Sequence, residues 1–213
     1  MSNKLKKIST SFQQWLLLIV GIAFIVTLVF LGQYQTKLFT DSANNLLNIY
    51  IKDVRHDIMD VTDKNLLILT RAVATEVNNA DKITSELLTG MLEKYNVTEI
   101  NYFSSTGVIL ASSNADFVGY DIGRGGVQAS EFWALLGAIT EYVQRFQPIG
   151  FDAQKSRKYA GVTLAAGGFI QVGYDEEAYY RAIEVAINEV VKNRHVGESG
   201  FLIVTDSAWR IIS

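Results

Sequence analysis

The chain has no cysteine, one proline and two histidines among its 213 residues. Without cysteine there is no disulfide framework, no thiolate zinc site and no thiol nucleophile. His56 and His195 stand far apart, and no Ser-His-Asp grouping, zinc motif or Gly-Lys-Ser/Thr phosphate loop is present. The sequence carries no catalytic constellation and reads as non-enzymatic, and no cofactor is expected. Acidic residues are missing from the N-terminal stretch, where Asp41 is the first. Three of the 19 Lys and Arg (Lys4, Lys6 and Lys7) precede residue 15, whereas all 22 Asp and Glu follow it. The remainder is therefore net acidic and lacks the basic face that a nucleic-acid partner requires. Disorder is excluded too, because 49% of the chain is hydrophobic and aromatics are plentiful.

The dominant feature is the run 15–31, WLLLIVGIAFIVTLVFL, with no charge and no proline. Extended to Phe12 and Gly32, a helix rising about 1.5 Å per residue just crosses a ~30 Å hydrocarbon core. The three lysines precede it, and the nearest charges beyond it are Lys37 and Asp41. Basic residues stay in the cytoplasm, so residues 33–213 are expected outside it. A cleaved signal peptide is the competing reading. Its apolar region would be about 7–15 residues, ending in a small-x-small site. This run is longer, and Phe30-Leu31-Gly32-Gln33-Tyr34 offers no such site. The expected plan is a cytoplasmic tail at 1–11 and an uncleaved transmembrane signal anchor at 12–32, placing the protein in the cell membrane.

Residues 33–80 are expected to form an extracytoplasmic stalk helix, since no proline or glycine interrupts 33–78. Leu47, Ile51, Val54, Ile58, Val61, Ile68 and Ala72 recur in steps of four and three, with Asn65 interrupting. That is a heptad seam, which pairs two chains into a homodimer or packs on the following domain. Asp53, His56, Asp57 and Asp60 share one helix face. Their spacing allows a metal, but a solvated face with an Asp60–Lys64 pair is the simpler reading, so no metal is expected.

Residues 81–175 read as one module. A helix over 81–95, capped by Asp81 or Thr84, leads to strands at 98–103 and 108–112. A loop over 114–129 carries Gly119, Gly123, Gly125 and Gly126, and a short helix over 130–137 starts at Ser130. Strands follow at 141–147, 159–165 and 169–174, the last two joined by Gly167-Gly168. A linking helix then occupies 176–193 within a segment ending at 196. After Gly197 the chain repeats itself: aligning Ser213 with Ser112 sets Thr205-Asp206-Ser207-Ala208 on Ser104-Ser105-Thr106-Gly107. Residues 197–213 are expected to begin a second module, truncated here, and the chain to be the N-terminal part of a longer protein.

This order resembles a PAS-like α+β fold: a five-stranded antiparallel sheet, one face under the long helix, the other holding a pocket beneath the loop and short helix. The segments 100–113 (INYFSSTGVILASS), 158–175 (KYAGVTLAAGGFIQVGYD) and 197–213 (GESGFLIVTDSAWRIIS) are similar to the double Cache sensor region of bacterial transmembrane receptors. That resemblance implies a small-molecule ligand in the membrane-distal module, and a second span leading to a cytoplasmic output domain. Residues 141–175 look most like sensors of stage II sporulation E-type, protein phosphatase 2C-like phosphatases. Histidine kinases, diguanylate cyclases and chemotaxis receptors use the same kind of sensor. The amino-acid-sensing branch carries Arg-x-Trp-Tyr, where this chain has Ser130-Glu131-Phe132-Trp133. Asp175 alone matches that branch's acidic residue, so a standard α-amino acid is not the expected ligand. A single-pass structural or adhesive surface protein is the alternative class.

Pockets are mostly apolar with a few convergent polar groups. Tyr102, Tyr120, Trp133, Tyr142, Arg145, Tyr159, Gln171 and Asp175 offer that mixture. Strand alternation puts Tyr142 and Arg145 on opposite faces. Trp133, Tyr142, Tyr159 and Asp175 are the expected ligand-binding set.

Overall fold

The computed structural model describes residues 2–124, 126–150, 152–192, 194–196, 200–206 and 208–211, without the side chains of 2–11 and Val196. Gly125, Asn193, Gly197, Ser207 and Ser213, used in the sequence reading, lie outside the described residues. The chain divides into two compact units, Met1–Asp53 and Val54–Ser213.

The described residues of the first unit are helical, as part of helix α1 (Ser2–Asn78). Its apolar run is exposed along its length and is long and apolar enough to cross a membrane. Thr27, Thr36 and Thr40 donate their hydroxyls to the carbonyls four residues back, so these polar groups are satisfied within the helix.

In the second unit α1 buries Thr62, Leu66, Thr70, Val73, Ala74 and Val77. This stripe runs beside the heptad seam rather than along it. Ile68 and Ala72 of the seam are exposed, while Val54, Ile58 and Val61 are half-buried. Helix α2 (Ser85–Tyr95) starts at Thr84, whose side chain accepts from Leu87 N–H, and Leu88 and Met91 anchor it. Of the two candidate caps, Thr84 serves.

The sheet is antiparallel. Its strands are β1 (Glu99–Phe103), β2 (Ile109–Ser112), β3 (Glu141–Val143), β4 (Gln147–Pro148), β5 (Ser156–Thr163) and β6 (Phe169–Tyr174). The order is β2-β1-β6-β5-β3, with β4 also on β5. One expected strand, 141–147, is therefore two. Val143 pairs with Ala160 and Gln147 with Arg157, so residues 144–146 oppose only 158–159. The extra residue is a bulge. The Gln144 N–H still donates to the Tyr159 carbonyl at 2.8 Å. The Gly167-Gly168 hairpin forms as expected. Gly168 has φ +76°, and a Cβ there would lie 2.0 Å from the Phe103 carbonyl oxygen, so glycine is required.

Alternation splits the sheet residues between two cores. Ile100, Ala111, Ala160, Ile170 and Val172 pack with Leu66, Val73 and Val77 of α1, Leu88 and Met91 of α2, and Ala178 and Tyr179 of α4 (Glu176–Lys192). On the opposite face Phe103, Ile109, Tyr159 and Phe169 meet Phe117, Ile122, Ala129, Phe132 and Leu135. These last five belong to a cover built from 3-10 turns at Ala115–Phe117 and Ile122–Arg124, helix α3 (Gly126–Ser130) and a 3-10 helix at Glu131–Leu136. The short helix expected at 130–137 is the 3-10 helix, while α3 forms at the end of the expected loop, and Ser130 makes no capping hydrogen bond. Gly161 lets the cover close on the sheet, since a Cβ there would sit 2.5 Å from Leu135 Cδ1.

Beyond α4, β7 (His195–Val196) pairs with β8 (Gly200–Phe201), and Thr205 bridges Ile211. The turn between the bridged residues is held by Asp206, whose carboxylate accepts from the Ala208 and Arg210 N–H groups.

Candidate functional site

Strand β1 reads EINYF, and pairing fixes which side each residue takes. Ile100 and Tyr102 join the helix-side core, while Glu99, Asn101 and Phe103 face the cover. Glu99 and Asn101 are each only 2% exposed. Buried polar groups of this kind are costly unless hydrogen-bonded. Asn101 Nδ2 donates to Glu99 Oε1 at 2.7 Å and to Gln171 Oε1 at 3.0 Å, and Ser112 Oγ donates to Asn101 Oδ1 at 2.6 Å. Tyr159 Oη donates to Glu99 Oε1 at 2.6 Å.

Tyr159 reaches Glu99 across an intervening strand. Gly173 of β6 pairs with Glu99 on one side and Tyr159 on the other. A Cβ on Gly173 would lie 2.5 Å from Tyr159 Cε1, so the glycine makes room for the ring. Burial raises the Glu99 carboxyl above its ordinary pKa, against the lowering effect of Tyr159, Asn101 and Arg157. Burial, reinforced by the Glu99 charge, pushes the Tyr159 hydroxyl well up.

These groups floor a cleft between sheet and cover. It is a small cavity of about 40 Å³ that opens to solvent. Glu99, Asn101, Gln171, Tyr159 and Gln128 supply its polar lining; Ile109, Phe117, Ile122, Ala129 and Ile149 supply apolar walls.

A second polar knot fastens the cover. Glu131 accepts from Tyr142 Oη at 2.9 Å, Gln144 Nε2 at 2.8 Å and Gln147 Nε2 at 3.2 Å. Burial alone would raise the Glu131 carboxyl, but these hydrogen bonds bring it below its ordinary value. Burial and the Glu131 contact push Tyr142 up to about 12. Gln128 donates to Gln144 Oε1 at 2.7 Å and accepts from Gly150 N–H. The bulge residue Gln144 therefore ties both α3 and the 3-10 helix to the sheet. Its carbonyl also accepts from Lys158 Nζ at 3.0 Å, and that ammonium lies 2.6 Å from Asp63 Oδ1 on α1.

The sequence-derived candidates disperse over this frame. Tyr159, Tyr120 and Gln171 line the cleft. Tyr142 is half-buried and bound to Glu131 beside it. Trp133 is 50% exposed on the outside of the cover. Asp175 caps α4, accepting from Ala178 N–H at 2.9 Å. Tyr102 faces the helix side, and Arg145 is exposed. The expected set of Trp133, Tyr142, Tyr159 and Asp175 is not gathered around one cavity; of the four, Tyr159 lines the cleft. On the stalk face His56 lies 3.6 Å from Asp60, and Asp57 pairs with Arg194. Among the described residues no three metal-ligating side chains converge.

Glu99, Asn101 and Gln128 line the cleft but lie outside the expected set. Glu99 and Asn101 alternate with apolar residues, a pattern that ordinarily marks a solvated sheet face. The signal that could have found them is register: Asn101 pairs with Gln171, placing two amides side by side beneath a loop.

No protein-family model and no curated protein matches the chain. Solved structures similar to it include an extracellular ligand binding receptor from Desulfohalobium retbaense, at 13% identity and TM-score 0.42, covering 62% of this chain and 24% of that one. The sensor domain of the V. cholerae histidine kinase DctB matches at 19% identity and TM-score 0.35, covering 73% of this chain and 59% of that one. The sensory domain of the Campylobacter jejuni chemoreceptor Tlp3, with isoleucine bound, matches at 12% identity and TM-score 0.40, covering 78% and 72%. The chain thus spans about a quarter of the first of these structures and under two thirds of the second.

Proposed function

We propose that this chain is the extracytoplasmic ligand-sensing region of a bacterial transmembrane signal-transduction receptor, of the double Cache kind. Residues 12–32 anchor it, the N-terminus is cytoplasmic, and the module at 81–175 binds a small molecule between sheet and cover. One observation carries this reading: a row of buried polar side chains, Glu99, Asn101 and Gln171, floors a cleft with apolar walls. A fold built only for packing gains nothing from desolvating such groups beside empty space.

The receptor works as a homodimer through the stalk. Within the second unit the seam residues Ile68 and Ala72 are exposed, which supports a chain-to-chain contact there. Residues 197–213 open the membrane-proximal module. The output domain lies beyond a second span. The resemblance of 141–175 puts a protein phosphatase first, ahead of histidine kinase, diguanylate cyclase and chemotaxis receptor.

The test is a thermal-shift screen of the full chain in detergent against small metabolites, repeated with Ala129→Phe, which fills the cleft from α3. A compound that stabilises the wild type and not the variant supports the reading. No stabilising compound, or one equally effective on the filled cleft, contradicts it.

A further inference from the structure

The charge of the cleft narrows what it accepts. Of the two Glu99 oxygens, Oε1 is filled by Asn101 Nδ2 and Tyr159 Oη. Oε2 takes no hydrogen bond from the described residues; its nearest cation is Arg157 Nε at 3.7 Å. That nitrogen is itself buried without a hydrogen-bond partner, and Arg157 turns Nη1 to the Ser156 carbonyl at 3.0 Å. The 3.7 Å contact is thus an ion pair short of a hydrogen bond. Arg157 does not line the cleft, and the described lining holds one carboxylate and no lysine or arginine. The remaining walls, Ile109, Phe117, Ile122 and Ile149, are apolar.

We infer that the ligand is a small protonated amine with an apolar body, its ammonium donating to Glu99 Oε2. This rests on the reading that the cleft is the ligand site. A bound cation supplies the donor that Oε2 lacks, and a charge-assisted bond in a desolvated site is the strong kind. A carboxylate or phosphate ligand would instead meet the Glu99 charge at close range. A neutral ligand leaves Oε2 with the 3.7 Å Arg157 contact alone. The site is distinct from the Asp175 position, because the Asp175 carboxylate is engaged at the α4 N-terminus.

Three probes of one shape and different charge test this on the full chain in detergent: isobutylamine hydrochloride, isobutanol and sodium isobutyrate. The amine is expected to raise Tm saturably, with an apparent affinity about tenfold or more above that of the alcohol. Isobutyrate is expected to have no effect. Glu99→Gln keeps an acceptor for Asn101 and Tyr159 and should abolish the preference for the amine. The charge series on the wild type gives its own answer whether or not the variant folds. Alcohol or carboxylate binding as tightly as the amine, or an amine preference unchanged in Glu99→Gln, overturns the inference. A metabolite lost on filling the cleft but indifferent to charge would overturn the inference and leave the ligand-cleft reading standing. No effect of any probe or metabolite would overturn both.

Discussion

Tyr159 Oη donates to Glu99 Oε1 at 2.6 Å from two strands away, over the bare backbone of Gly173. One hydroxyl thus spans β5, β6 and β1 and helps hold a buried carboxylate in place. Removing it with Tyr159→Phe leaves Glu99 Oε1 with Asn101 as its remaining donor. The expected cost is about 1.5–3 kcal/mol, the range for a hydrogen bond to a charged group. Urea unfolding at neutral pH measures it. In a Glu99→Gln background the same substitution should cost clearly less, because the acceptor is then neutral.

Stability should depend on pH through Glu99. Burial raises its folded-state carboxyl above the unfolded value, so between the two the folded chain binds more protons than the unfolded one. The contribution is fully present below the unfolded pKa and is lost as pH rises through the folded pKa. Glu131 works the other way, since its depressed carboxyl stabilises above its unfolded pKa and loses that contribution in acid. Glu99→Gln should therefore remove a loss of stability with rising pH, and Glu131→Gln a loss with falling pH. Melting curves across pH for the two variants should diverge from wild type at opposite ends.

Lys158 and Asp63 make a charge pair whose two ends differ in exposure. The Lys158 side chain is 4% exposed and that of Asp63 is 41% exposed. Asp63→Ala strands an ammonium in the helix-side core and should cost about 2 kcal/mol, moderated by water at the open end. Lys158→Met leaves a carboxylate that water can reach and should cost less. The double variant should be more stable than Asp63→Ala alone, by denaturant titration.

The stalk prediction concerns exposed apolar residues. Ile51 and Ile68 are 54% and 56% exposed and lie on the heptad seam. Cysteine at either should crosslink to its twin in membranes faster than cysteine at Lys52 or Lys64. Equal rates at all four would mean that this face is not a chain-to-chain contact.

Much of the frame was legible in the sequence, because its signals are local. The uncharged run 15–31, the Thr84 cap and the Gly167-Gly168 hairpin each depend on a few neighbouring residues. The bulge at 144–146 was not legible, because nothing in EYVQRFQ says that Gln144 turns to Glu131 and Gln128. The site was harder still. Trp133 and Asp175 are conspicuous residue types, yet one sits on the outer surface and the other caps a helix. Glu99 and Asn101 look like ordinary surface positions of a strand. They become the floor of a cleft only when the 3-10 turns, α3 and the 3-10 helix close over them, a contact between distant parts of the chain that periodicity does not encode.

Hydrogen–deuterium exchange on the full chain in detergent tests the central claim most directly, using whichever compound raises Tm most. The account predicts slower exchange with the compound bound at 99–103, 115–136 and 169–174, where floor and cover meet. Protection confined to 195–211, with floor and cover unchanged, would contradict it and move sensing out of this module.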